Sequence, residues 1–160
     1  MSGEAGALAR RFLEAFDTGD ESILDQVLDP GYRSLTRPFP GTDATREGAK
    51  RQLRLLRGAF PDARFTAEEV FGRDDRVYLR WTMTGTHLGE ILGVPPTGKR
   101  VAHYGQEFLR VRGGRIVERQ GQEDHAEFEH KLRAAGGPQE HPAAGPGGPA
   151  LQPGGERCLS

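Results

Sequence analysis

The sequence predicts a single α+β domain, in which a curved antiparallel β-sheet wraps around N-terminal helices and forms a cone with a central pocket. Three observations support this fold class. Apolar residues recur at helical spacing in the N-terminal part, and from Arg64 onward the hydrophobic period changes to two. The chain has 160 residues, which is enough for one hydrophobic core and too few for two independent cores.

Helices are predicted at residues 4–17, 21–28 and 44–58, because apolar side chains fall on one face of each segment. Pro30 ends the second helix, since proline cannot continue the backbone hydrogen-bond ladder. The segment 33–42 contains two prolines and a glycine and is predicted to be irregular. It is either a docked loop or a lid over the body of the domain.

Strands are predicted at residues 64–72 and 77–87, which are rich in β-branched and aromatic residues. The segment 101–124 is predicted to be a β-hairpin, because two strand-length runs meet at a Gly-Gly pair. Glycine accepts the positive φ angles that a tight turn requires. Residues 125–135 are predicted to form a short final helix.

The composition divides the chain into two parts. Residues 1–135 contain all the predicted elements and form the predicted domain. Twelve of the 25 residues from 136 to 160 are glycine or proline, with almost no apolar side chains to bury. Such a composition is typical of a disordered tail.

Charge and composition also exclude several classes of function. The net charge is −1, with 22 basic and 23 acidic residues spread along the chain, which argues against a nucleic-acid partner. Neither a signal peptide nor an apolar run of membrane-spanning length is found, so we expect a cytoplasmic protein without a membrane partner. The single cysteine, Cys158, and the absence of zinc-site spacing predict no metal site.

The predicted hairpin is unusual because polar side chains stand among its apolar residues. His103 and Glu107 share one strand face, and Gly105 between them leaves room for a ligand. A buried glutamate is either ion-paired or has a raised pKa suited to proton transfer. Histidine can carry a proton near neutral pH. We therefore predict that His103 and Glu107 are catalytic.

A third candidate group depends on the register of the hairpin. A two-residue turn sets His103 opposite Asp124, whereas a longer turn or a bulge slips the pairing by one residue and brings Glu123 near His103. Glu123 and Asp124 therefore both remain candidate catalytic carboxylates. Other aromatic and polar side chains are predicted to line the substrate pocket: Tyr32, Phe60, Trp81, His87, Tyr104, Arg119 and Gln120.

Five short segments are distinctive in combination and in order. They are FPDARF (60–65), VYLRWT (77–82), TGTH (84–87), GVPPTGK (93–99) and GRIVE (114–118). Together they resemble the SnoaL-like polyketide cyclase family, part of the nuclear transport factor 2-like superfamily. The similarity covers roughly residues 5–135, and it implies the same cone-shaped α+β fold.

The resemblance also implies a chemistry and a set of site positions. The family's cyclases look like cofactor-free aldol enzymes, in which an aspartate on the last strand is the acid/base and a histidine on the neighbouring strand assists. By position, the histidine corresponds to Glu107 and the aspartate to Gly121. Neither group is retained, and glycine cannot transfer a proton. A cyclase built on this chain must therefore place its acid/base group elsewhere.

These observations predict a cofactor-independent acid/base cyclase of natural-product biosynthesis. It would close a ring in an aromatic or polyketide-like substrate by intramolecular aldol or epoxide-opening chemistry. The alternatives are a non-catalytic small-molecule binding or accessory protein with the same fold, and a small hydrolase or isomerase. The resemblance and an open sheet edge also predict a homodimer or a higher homo-oligomer.

Overall fold

A computed structural model describes residues 2–134 of the chain. The predicted tail at residues 136–160 lies outside the described residues, and so does Met1. The elements in chain order are α1 (Ser2–Thr18), α2 (Glu21–Val27), β1 (Leu28–Ser34), α3 (Arg46–Ala59), β2 (Arg64–Arg73), β3 (Arg76–Thr86), β4 (Arg100–Arg112), β5 (Arg115–Gln122) and α4 (His125–Ala134).

All four predicted helices are present, and their ends differ from the predicted ones by no more than two residues. Local capping explains where they begin. The side chain of Asp20 accepts a hydrogen bond from the Ser22 amide at the start of α2. The side chain of Thr45 does the same for the Gly48 amide at the start of α3. Each cap satisfies an amide that has no partner within the helix.

The five strands form one curved sheet in the order β1-β5-β4-β3-β2. The predicted α+β fold class is confirmed, but the prediction of a wholly antiparallel sheet is wrong at one edge, where β1 pairs with β5 in parallel. The sequence LDPGYRS contains proline and glycine and buries only Leu28 and Tyr32, so it lacks the alternation of a strand. β1 forms because its backbone pairs with a distant strand.

The core lies between the concave face of the sheet and the helices. α1 contributes Phe12 and Phe16 and α3 contributes Leu53 and Leu56, all buried against inward side chains of the strands. Phe128 and Leu132 of α4 are fully buried and close the base of the cone. Among residues 2–134, no helix is long and apolar enough to cross a membrane.

Candidate active site

A small cavity lies inside the cone, between α1, α3 and the concave face of the sheet. Its volume is about 30 Å³, which is room for little more than one water molecule. A substrate must therefore displace side chains or widen the mouth in order to enter. Apolar side chains of α1 and β3 form most of the wall, and the polar lining consists of Tyr32, Gln52, His103, Glu107, Arg119 and Glu123.

The hairpin register decides which polar side chains of β5 face this cavity. Gly113 and Gly114 form a two-residue turn with φ angles of 60° and 76°. Beyond the turn, Val117 is an extra residue on β5, since Val111 pairs with Ile116 but Arg110 pairs with Glu118. This bulge slips the register by one, and Glu107 lies opposite Gly121. The slipped pairing, predicted as one of two alternatives, is the one observed.

Glu107 is buried and tied to Arg119 and Trp81. The Arg119 Nε donates to Glu107 Oε1 at 2.5 Å, and Nη2 donates to Oε2 at 3.3 Å. The Trp81 indole Nε1 donates to Oε2 at 2.9 Å. Burial raises the pKa of Glu107, and the adjacent guanidinium opposes that rise. Both carboxylate oxygens are therefore engaged, and Arg119 is held in a fixed orientation.

His103 and Glu123 form a second buried pair. His103 Nε2 lies 2.8 Å from Glu123 Oε1, and the imidazole stacks on Phe128 with ring centres 3.9 Å apart. Burial opposes ionisation of Glu123, but the hydrogen bond with His103 and the nearby His125 ring, 3.5 Å away, outweigh it and lower its pKa to about 2. Glu123 is thus a carboxylate at neutral pH and can only accept a hydrogen bond from His103.

That hydrogen bond determines the tautomer of His103. The hydrogen of a neutral His103 ring must lie on Nε2, because Glu123 has none to donate. The other nitrogen, Nδ1, is buried and has no hydrogen-bond partner among residues 2–134. It is the ring nitrogen that remains able to accept a proton.

Tyr32 adds a hydroxyl donor to the cavity. Its side chain is buried in β1 and lines the same space as Arg119. Burial raises the pKa of Tyr32 to about 12, the charge on Glu107 adds to that effect, and Arg119 opposes it. The phenol therefore keeps its proton at neutral pH and can donate to a substrate oxygen.

Five of the predicted site residues lie away from the cavity. Tyr104 and Gln120 are exposed on the outer face of the sheet, because strand alternation turns them away from His103 and Arg119. Asp124 is exposed and its side chain accepts from the Glu127 amide, so it caps α4. The structure thus places the predicted pocket residues Tyr104 and Gln120, and the predicted catalytic candidate Asp124, outside the lining of this cavity.

Phe60 and His87 were also predicted to line the pocket, and they form a separate buried cluster instead. Their rings lie 5.5 Å apart, and Phe60 also stacks on Phe128. His87 Nδ1 accepts from the Thr97 amide at 3.3 Å, which fastens the loop between β3 and β4. His87 does not reach the cavity because it lies beyond the end of β3, outside the concave face.

The predicted free space at Gly105 is occupied. A Cβ at Gly105 would lie 2.6 Å from the Trp81 ring, so the indole fills the place of the missing side chain. Gly105 therefore makes room for Trp81 rather than for a ligand. This close approach also positions the Trp81 N–H on Glu107.

Sequence reasoning missed the helical lining of the cavity. Gln52 of α3 and the side chains of Phe12 and Leu13 of α1 all line it. On a helix, a cavity-lining side chain and a core side chain have the same spacing, so periodicity could not separate them. The usable signal in the sequence was Gln52, a polar residue at the spacing of the apolar face of α3.

No group of three or more His, Cys, Asp or Glu side chains within residues 2–134 is arranged to hold a metal ion. The buried groups instead form two hydrogen-bonded pairs joined by Arg119, whose Nη2 lies 3.9 Å from Glu123 Oε2. The arrangement combines an orientated base, a fixed guanidinium and a phenol. Those groups are suited to proton abstraction and stabilisation of an oxyanion.

Comparison with known proteins identifies relatives of this chain in sequence and in fold. The chain is 24% identical over 127 residues to nogalonic acid methyl ester cyclase of Streptomyces nogalater, covering 79% of this chain and 92% of the relative. It is 28% identical over 116 residues to aklanonic acid methyl ester cyclase DauD of Streptomyces sp. (strain C5), covering 68% and 69%.

A solved structure agrees with these sequence relatives. TsrD from Streptomyces laurentii superposes with a TM-score of 0.73 at 25% identity, covering 82% of this chain and 96% of TsrD. The family model for the SnoaL-like polyketide cyclases matches residues 7–132, which include every strand and the polar cavity lining. The chain belongs to the SnoaL-like polyketide cyclase family.

Proposed function

We propose that this protein is a cofactor-independent cyclase that closes a ring in an aromatic polyketide-type substrate by an intramolecular aldol reaction. The observation that carries the proposal is the buried His103–Glu123 pair at 2.8 Å in a cavity that also contains Arg119 and Tyr32. Membership of a polyketide cyclase family supports the substrate class. The two named relatives act, by their names, on methyl esters of polyketide acids.

The reaction assigns a role to each group. His103 Nδ1 removes a proton from a carbon next to a carbonyl group, and Glu123 stabilises the imidazolium that forms. Tyr32 and Arg119 donate to the enolate oxygen. The enolate carbon attacks a second carbonyl carbon of the same molecule, which forms the new C–C bond. The resulting alkoxide takes the proton back from His103, so the product is an isomer of the substrate.

Glu107 acts as a positioning residue in this scheme. Its carboxylate accepts two hydrogen bonds from Arg119 and one from Trp81, and neither oxygen remains free to take a proton. The pair keeps the guanidinium against the cavity wall. The same set of groups could open an epoxide, with Tyr32 protonating the epoxide oxygen while His103 deprotonates an attacking hydroxyl.

The test is turnover of defined polyketides by the purified protein. Aklanonic and nogalonic acid methyl esters, together with an epoxide-bearing polyketide, are incubated with the protein and analysed by chromatography and mass spectrometry. We expect a ring-closed product of unchanged mass. His103→Gln should lower kcat by about 10²-fold to 10⁴-fold, the usual contribution of a general base. The matched control is His130→Gln, an exposed histidine on α4, which should have no effect.

An unchanged kcat in His103→Gln would contradict the mechanism. A second candidate function, a non-catalytic binding protein, is favoured by one observation: Gly121 stands where the family resemblance implies the acid/base aspartate, and glycine cannot transfer a proton. Tight binding of the polyketides without any isomer formed would support that alternative. Turnover of the epoxide substrate alone would assign the groups to epoxide opening.

A further inference from the structure

Gly121 lies on the concave face of β5, where a side chain would clash with its present neighbours. A Cβ there would collide with the Arg119 guanidinium and would lie 2.7 Å from Glu107 Oε1. The backbone of Gly121 is not in the left-handed region, so the constraint is one of space alone. The colliding atoms are the far ends of long side chains, which a Cβ would push out of place. Gly121 therefore holds open the place that the guanidinium occupies.

The Arg119 guanidinium has more N–H groups than it uses in hydrogen bonds to the described residues. Arginine has five N–H groups. Within residues 2–134, Nε and Nη2 each donate to Glu107, and Nη1 donates to Ser34 Oγ at 3.2 Å. One N–H on Nη1 and one on Nη2 make no hydrogen bond in the described residues, and Arg119 lines the cavity. Glu123 Oε2 lies 3.9 Å from Nη2, and the Tyr32 hydroxyl is also close to the guanidinium, so a ligand oxygen would compete with these two groups for the N–H donors.

The chemistry of these donors indicates what they would bind. Guanidinium N–H groups form their strongest hydrogen bonds to oxygens that carry negative charge. A substrate whose charge is delocalised over two carbonyl oxygens, such as the enolate of a β-dicarbonyl, has an acceptor for each of the two donors. A methyl ether at the same position removes the charge and one such acceptor. The site should therefore bind a ligand with an ionised hydroxyl group more tightly than the methyl ether of the same ligand.

We propose that Gly121 is a specificity-determining position, which admits the Arg119 guanidinium to the cavity so that its two spare N–H groups select ligands with an enolate-type oxygen. The inference rests on the proposed function for the identity of the reaction, and on geometry alone for the binding preference. A larger residue at 121 would displace the guanidinium and remove the preference.

Binding measured without turnover tests this assignment. The probes are 2-hydroxy-1,4-naphthoquinone, an enolate-like anion at neutral pH, and its methyl ether, 2-methoxy-1,4-naphthoquinone. Isothermal titration calorimetry of the full chain should show the hydroxy compound binding about tenfold more tightly, as expected for a charge-assisted hydrogen bond. Gly121→Ala and Arg119→Gln should each reduce that ratio to about one. The double variant should show no further change, because both substitutions act on the same guanidinium.

The matched control is Gly58→Ala on α3, where an added Cβ meets no atom within 4 Å. It should keep the wild-type ratio, and circular dichroism should show that each variant is folded. The proposal would be overturned if the wild type bound the two probes equally tightly or bound neither of them. It would also be overturned if Gly121→Ala kept the wild-type preference for the hydroxy compound. Preferential binding of the hydroxy compound without turnover of any polyketide would refute the proposed function and leave this assignment standing.

Discussion

At the scale of single residues, the cavity contains two acids in opposite situations. Glu107 has both oxygens engaged by Arg119 and Trp81, whereas Glu123 is hydrogen-bonded to His103, whose Nδ1 has no partner within the described part of the chain. Glu107, the residue with the raised pKa, thus has both oxygens occupied by hydrogen bonds within the protein. The ionised Glu123 is the one that orientates a base. Environment, and not residue type, separates their roles.

The buried ion pair leads to a prediction about stability. Glu107→Gln leaves the charge of Arg119 buried without its partner, and we expect a loss of about 3 kcal/mol in the free energy of unfolding. Urea denaturation followed by fluorescence measures this, because Trp81 is the only tryptophan and donates to Glu107.

The control for that prediction is Glu69→Gln on the outer face, where the pair with Arg80 is half exposed at 3.5 Å. Exposed pairs contribute little, so the expected loss is below about 0.5 kcal/mol. Equal losses in the two variants would show that the buried pair contributes no more than a surface one.

At the scale of elements, the loop between β3 and β4 is held by backbone hydrogen bonds and by the buried side chain of one histidine. His87 is fully buried, accepts from the Thr97 amide and packs on Phe60. Burial lowers the pKa of His87, an effect that the nearby charge of Glu90 opposes. Protonation would remove the acceptor at Nδ1 and place a charge in an apolar cluster. Backbone hydrogen bonds also hold the loop, including Gly98 N–H to His87 O, but the hydrogen bond from the Thr97 amide requires the neutral ring.

This arrangement predicts a pH dependence of stability. The unfolded chain binds a proton at His87 more readily than the folded one, so stability is full above the unfolded pKa of about 6.5 and falls as the pH decreases below it. Denaturation at pH 7.5 and at pH 5.5 measures the loss. His87→Gln should reduce the difference between the two pH values. His130→Gln, on the exposed side of α4, should leave it unchanged, and an equal effect of both substitutions would contradict the assignment.

Glu123 extends that dependence to lower pH. Its folded pKa of about 2 lies below the ordinary value of 4.5, so its contribution is full above 4.5 and is lost as the pH falls toward 2. The two groups act in separate windows. We expect His87 to contribute to the loss of stability below pH 6.5, and Glu123, together with other carboxyls of lowered pKa such as Asp62, to contribute below pH 4.5.

At the scale of the whole molecule, the two faces of the sheet differ in an unusual way. The concave face holds the polar pairs, and the convex face carries an outer aromatic strip of Phe71, Tyr78, Tyr104 and Phe108. Phe71 is 69% exposed, Tyr104 57% and Phe108 49%, and the rings of Tyr78 and Phe108 lie 5.2 Å apart. Phe71, Tyr78 and Phe108 lie side by side on neighbouring strands, and exposed aromatic surface of that kind marks an interaction site. Because the sequence predicts a homodimer or a higher homo-oligomer, we propose that a second copy of the chain covers this strip.

The proposal predicts a mass in solution of twice the chain mass of 17.5 kDa. Phe108→Glu places a charge in the centre of the outer aromatic strip and should shift the protein to monomer, as measured by analytical ultracentrifugation. Leu55→Glu is the control, since Leu55 is 38% exposed on α3, on the opposite side of the sheet. A monomeric wild type, or a dimer that resists Phe108→Glu, would contradict this interface.

Local patterns in the sequence were sufficient for most of the architecture. Helical spacing located all four helices, and the Gly113-Gly114 pair located the hairpin turn, because helix formation and tight turns depend on residues close together in the chain. His103, Glu107 and Arg119 were also predicted to belong to the site, and all three line the cavity, whereas their roles in it stay a prediction. The short segments in their order identified the family.

Tertiary structure alone decided which of those side chains meet. The bulge at Val117 turns Arg119, Gly121 and Glu123 toward the cavity, and an unbulged hairpin would have turned Arg119 and Glu123 outward. The strand β1 and the helical lining at Gln52 likewise depend on contacts between distant segments. Alternation in the sequence shows which residues of a strand share a face. One extra residue in a bulge reverses which of these two sets points into the cavity. The space at Gly121 that the Arg119 guanidinium fills exists only once the strands are paired.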